Sequence, residues 1–188
     1  MLLQTVHSHL TLPVLSELYR NRPEIAVAQY YRYRQPIDVV AFTVAGVLWV
    51  LGPTLVNVLY GSRYSDAGGI LQILSIAMLA FPFGMIIDAF LANSQMRLFG
   101  LLSIINSVSF VIAVFVGFAV SGIPGVIWGL TLFRWPQIIS ATALAHKRGW
   151  IMPLREIAFL PMFGVGMLLG YAVERAIEWI PWRMMEIL

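Results

Sequence analysis

Residues 123–145 read IPGVIWGLTLFRWPQIISATALA, a run apolar enough for a membrane helix with an arginine, Arg134, at its midpoint. At ~1.5 Å rise per residue that arginine lies about 16 Å from either end, near the centre of a bilayer. A charge at that depth costs at least ~2.5 to 3.5 kcal/mol, so it is kept only where it faces protein or a wet cavity. Thr131 and Gln137 flank it at i−3 and i+3 on one broad helical face, and Pro136 removes a backbone donor two residues on. This run therefore predicts both the fold, a helical membrane bundle, and the candidate site, Arg134 with Thr131 and Gln137.

Composition agrees with that reading: 60% of the 188 residues are hydrophobic and 11% are charged, outside the range of soluble domains. The expected class is an all-α, polytopic transmembrane bundle of about five spans, at 37–59, 68–92, 98–120, 123–145 and 152–173. Residues 1–36 read as the tail of a preceding helix followed by a basic cytoplasmic connector. Residues 37–173 form the bundle, and 174–188 form a periplasmic interfacial segment. Pro53 and Pro82 are expected to interrupt the first two spans, and Arg155 and Glu156 to sit at the interface opening the last.

Charge distribution orients the chain. Arg20, Arg22, Arg32, Arg34, Arg97, Lys147, Arg148 and Arg155 fall on one side of the spans, and Arg63, Arg175 and Arg183 on the other. The positive-inside rule makes the first set cytoplasmic. Tyr60, Tyr64, Trp179 and Trp182 then mark the outer interface, and Trp150 and the tyrosines between 30 and 33 the inner one. The arginines and tyrosines of 17–36 are read as a segment lying on anionic lipid, and nucleic acid is not expected as a partner. A net charge of +3 is too dispersed for that role.

No catalytic constellation, Walker loop or dinucleotide turn is present, so neither enzyme activity nor a cofactor is expected. With no cysteine and with His7, His9 and His146 lacking carboxylates at ligand spacing, no metal site is expected either. The polar inventory of the spans is what remains. Asn106, with Ser103, Ser107 and Ser109, is a candidate cavity lining or helix-helix glue. Asp88, five residues from the inner end of its span, reads either as an ordinary interfacial acid or as a candidate ion-coupling acid. Counting rise from the outer surface places it about 13 Å deeper than Arg134, too far for a direct pair. Gly166 and Gly170 form a G-x-x-x-G expected to bring two helices close.

The stretch 52–79, GPTLVNVLYGSRYSDAGGILQILSIAML, resembles the C-terminal lobe of the multidrug/oligosaccharidyl-lipid/polysaccharide flippase superfamily, in particular Wzx-type O-antigen and exopolysaccharide transporters. The matching positions are Pro53, Tyr60, Gly61, Tyr64, Ala67, Leu71 and Leu74. TLPVLSELYR at 11–20 and GIPGVIWG at 122–129 are similar to flanking features of that lobe, and the likeness runs from about residue 10 to 145. The resemblance implies a MATE-like lobe in the cell inner membrane that carries undecaprenyl-pyrophosphate-linked oligosaccharide by alternating access. It also implies a first lobe beyond this chain, or polysaccharide-assembly proteins, as partners beside membrane lipid. On that reading Arg134, Gln137, Thr131 and Asn106 bind substrate and Asp88 couples an ion. The alternative is a non-transporting membrane scaffold of a polysaccharide-assembly complex, in which Arg134 pairs with a partner's helix.

The orientation is checked with single cysteines in this cysteine-free chain. An impermeant thiol reagent applied to intact cells labels a cysteine at Ser62 and leaves one at Gln29 untouched; the reverse pattern would invert the topology.

Overall fold

In the computed structural model, residues 23–179 are described, and all of their regular structure is helical. Helix α1 (Pro23–Tyr60) is followed by a 3₁₀ turn (Ser62–Tyr64), α2 (Ser65–Ser75), a second 3₁₀ turn (Ile76–Ala80) and α3 (Gly84–Ala92). Then come α4 (Met96–Ser121), α5 (Ile123–Leu132), α6 (Trp135–Lys147), the single turn α7 (Pro153–Glu156) and α8 (Pro161–Trp179). Four segments are long and apolar enough to cross a membrane: Val27–Tyr60, Ser62–Ala92, Met96–Ser121 and Leu154–Ile177. The expected segments 1–22, with His7 and His9, and 180–188, with Trp182, lie outside the described residues.

Three expectations are corrected. The first span does not begin at 37: α1 runs unbroken for 38 residues through Pro36 and Pro53, so the 23–36 connector is the first part of the same helix. Nor is 123–145 one continuous span. It is two half-helices separated by a turn at Phe133 and Arg134, because Pro136 has no N–H for the carbonyl of Leu132 and begins α6 instead. Finally, α8 continues past 173 to Trp179 and carries Glu174, which accepts a hydrogen bond from the Thr54 hydroxyl at 2.9 Å. The break expected at Pro82 is present: residues 81–83 form a turn between the second 3₁₀ segment and α3.

Helix packing follows from small residues, as expected where lipid leaves no hydrophobic drive between helices. On α1 and α8, Gly46, Gly166 and Gly170 let the backbones touch. A Cβ on Gly46 would strike the Phe163 carbonyl, one on Gly166 the Thr43 carbonyl, and one on Gly170 would lie 2.8 Å from Val50 Cβ. A second seam joins α4 and α5, where Gly117 meets Gly125 and Gly129 meets Ala113. Gly68 of α2 sits against Pro53, its Cβ position 2.6 Å from Pro53 Cα, so the proline that was to break α1 instead seats α2 on it. The apolar core gathers at one end, where Tyr30, Tyr31 and Phe42 of α1 meet Met85, Ile86 and Phe90 of α3 and Ile138 and Ala141 of α6. By contrast Ile104, Val108, Val111 and Phe115 of α4 are exposed, a face suited to acyl chains.

Gly46→Ala forces α1 and α8 apart and lowers stability by ~1–3 kcal/mol. Gly100→Ala on α4, whose Cβ would meet nothing within 4 Å, is neutral or stabilising by up to ~1 kcal/mol. Thermal unfolding of the two variants in detergent micelles checks the contrast.

Candidate functional site

Two polar constellations stand inside the bundle. The first surrounds Arg134, which lies in the turn between α5 and α6 rather than within a helix. A cavity of about 540 Å³ is lined by Asp88 of α3, Ser103 and Asn106 of α4, and Arg134 and Gln137, with Phe81, Gly84, Ile87, Phe99 and Phe133 completing the wall. Gly84 makes room for the guanidinium: a Cβ there would lie 3.9 Å from Arg134 Nη2.

Asp88 and Arg134 thus share one cavity, and the carboxylate acts electrostatically on the guanidinium. A count of rise along straight helices puts them about 13 Å apart in depth, yet both line this one cavity, and α3 and α6 each start at a turn, 81–83 and 133–134. Asn106 contributes a buried Oδ1 with no hydrogen-bond partner among the described residues. The Ser103 hydroxyl is spent on the Phe99 carbonyl at 2.9 Å. Thr131, expected beside Arg134, is not part of this wall. Its buried hydroxyl donates to the Ile127 carbonyl at 2.9 Å, one turn back on α5.

Arg134 also lines a second recess of about 610 Å³, walled by Pro36, Ile37, Val40 and Ala41 of α1 and by Ala77, Met78 and Phe81. Apart from the arginine this wall is apolar. Arg134 therefore lines both a polar chamber and an apolar one, and Phe81 borders both.

The second constellation was not anticipated. Arg34, expected at lipid headgroups, is 0% exposed. Its Nε donates to Asp38 Oδ1 at 3.1 Å, and its Nη1 donates to the Tyr30 hydroxyl at 2.7 Å and to Glu156 Oε2. The guanidinium also lies over the Phe83 ring, 4.7 Å from its centroid. The Tyr31 hydroxyl accepts from the Met152 amide at 2.7 Å and donates to Glu156 Oε1 at 3.0 Å. Glu156, expected at the interface, is buried, while its neighbour Arg155 is exposed and lies over the Tyr31 ring. The i, i+4 spacing of Arg34 and Asp38 was a legible signal; the partner 122 residues away was not.

Among the described residues no group of three or more His, Asp or Glu side chains is placed to hold a metal ion. Comparison of the chain with protein-family models, with curated proteins and with solved structures gave no match.

Removing the Arg34 guanidinium leaves the buried acids Asp38 and Glu156 without their shared partner. Arg34→Met should cost ~3–5 kcal/mol and sharply reduce the folded protein recovered from membranes. Arg97→Met, at an exposed position, should change stability by no more than ~0.5 kcal/mol. Size-exclusion profiles of the two variants after identical extraction compare them directly.

Proposed function

We propose that this chain is a transport module for an undecaprenyl-pyrophosphate-linked oligosaccharide, a part of the second lobe of a flippase of the inner membrane. The resemblance over 10–145 suggests the family, and the observation that carries the reading is Arg134 lining both a polar and an apolar chamber. A lipid-linked sugar has that same division, with its charge at the junction between glycan and chain.

Each wall has a task in this reading. The planar guanidinium takes phosphate oxygens in a fork, which a lysine cannot reproduce. The α1 recess, through Ile37, Val40, Ala41 and Met78, receives the first isoprene units. In the polar chamber Gln137 and the unpartnered Oδ1 of Asn106 meet sugar hydroxyls, which donate to it. Asp88 acts as the competing anion. It holds the guanidinium's charge in the unloaded chamber and weakens the phosphate's hold enough for release. That assignment replaces a free ion-coupling acid with an exchange partner. The scaffold alternative asked for a carboxylate on another protein's helix, and Asp88 already stands near Arg134 inside the chain.

The test is binding of undecaprenyl pyrophosphate, against undecaprenol, to the purified chain in nanodiscs. The wild type should favour the pyrophosphate at least tenfold. Loss of a charge-assisted contact in Arg134→Ala is worth ~1.5–3 kcal/mol, a fall of about ten- to a hundredfold, with Arg134→Lys in between. Asp88→Asn should bind more tightly than wild type. Unchanged pyrophosphate affinity in a folded Arg134→Ala protein would remove the site from the function.

A further inference from the structure

We propose that the Arg34–Asp38–Glu156 cluster is a proton-binding site, with one proton held on Asp38, and that it works as a proton-controlled clasp between α1 and the 148–156 connection. The argument is charge balance in a closed space. Arg34, Asp38 and Glu156 are 0%, 2% and 2% exposed, so two carboxylates and one guanidinium share a volume that water does not screen. Both acids ionised would leave one uncompensated negative charge, which a buried site avoids by taking up a proton.

Among the described residues, the groups around Asp38 leave nothing else to balance it. Arg34 and Glu156 are the charged groups that act on it. The other ionisable neighbours of the cluster are the Tyr30 and Tyr31 hydroxyls of α1, neutral when protonated, and Arg155, which lies over Tyr31 and is exposed to the outside. From the turn before α3 the contact is Phe83, which cannot ionise. A bound metal cation is disfavoured because the guanidinium already occupies the space between the two acids, and hard cations need several more oxygen ligands.

Of the two acids, Glu156 accepts both from Arg34 Nη1 and from the Tyr31 hydroxyl, whereas Asp38 accepts from Arg34 Nε alone among the contacts resolved for it. The proton therefore resides on Asp38. When it leaves, the two carboxylates compete for one guanidinium. The contact that yields is the long-range one, Arg34 to Glu156, because Asp38 sits one helical turn from Arg34 on the same helix.

Infrared difference spectroscopy of the purified chain in nanodiscs reads the proton directly, through the carbonyl stretch of a protonated carboxylic acid and its shift in D₂O. At neutral pH the wild type should show one such buried acid. Asp38→Asn should abolish the band, and so should Glu156→Gln, because with one acid removed the remaining Asp38–Arg34 pair is already neutral. Asp88→Asn should keep it. Absence of the band in the wild type, its survival in either cluster variant, or its loss on adding sodium at constant pH would each overturn the proposal. Unfolding supplies an independent readout. The folded wild type binds one more proton than the unfolded chain, so its folded-to-unfolded ratio should fall about tenfold per pH unit as pH rises between the two states' titration ranges. Asp38→Asn, whose amide mimics the protonated acid, should fold and flatten that slope; an unchanged slope in this variant also overturns the proposal.

Discussion

A charge inside a low-dielectric bundle must find its counter-charge within the protein, and that requirement organises this chain. Arg34 meets it by drawing Glu156, 122 residues away, into contact with α1, and with it the whole connection between α6 and α8. The tyrosines on the same turn complete the arrangement, since Tyr31 fastens both the Met152 amide and the Glu156 carboxylate. The end of the bundle where the apolar core is densest is therefore also the end held by a polar clasp.

Arg134 meets the same requirement differently. It faces a single carboxylate across a cavity, with Gly84 leaving its guanidinium uncrowded. Backbone breaks make that cavity. Helices interrupted at membrane depth are tolerated where they line a chamber, and α3 and α6 each begin at such a break. Glycine seams bring α1 against α8 and α4 against α5. The result is an arginine whose side chain borders both a polar and an apolar chamber.

Much of the architecture was legible. Apolar runs gave the helical class, Gly166 and Gly170 gave a close crossing, and Pro82 gave a break. Counting rise along straight helices does not foresee that Asp88 and Arg134 line one cavity, since it leaves out the turns at 81–83 and 133–134. Proline was read too simply: Pro36 and Pro53 lie within an unbroken α1, and Pro53 serves as the seat for Gly68. The arginine–tyrosine stretch was read as a lipid-facing surface because composition alone cannot distinguish a headgroup contact from a buried pair. Only the long-range neighbour, Glu156, decides it. Thr131 was assigned to the site by its place on the helical face, yet a threonine hydroxyl on a helix readily bonds back to the carbonyl one turn earlier.

On the proposed function, the Arg134 guanidinium touches the phosphate of a lipid-linked substrate. The most direct measurement is ³¹P–¹³C dipolar-coupling solid-state NMR on the chain in bilayers loaded with undecaprenyl pyrophosphate and labelled at the arginine guanidinium carbons. Strong dephasing of one arginine signal, absent in Arg134→Lys and unaffected by replacing Arg32 or Arg97, is the predicted result. Dephasing confined to surface arginines, with the Arg134 signal undisturbed, would contradict the account.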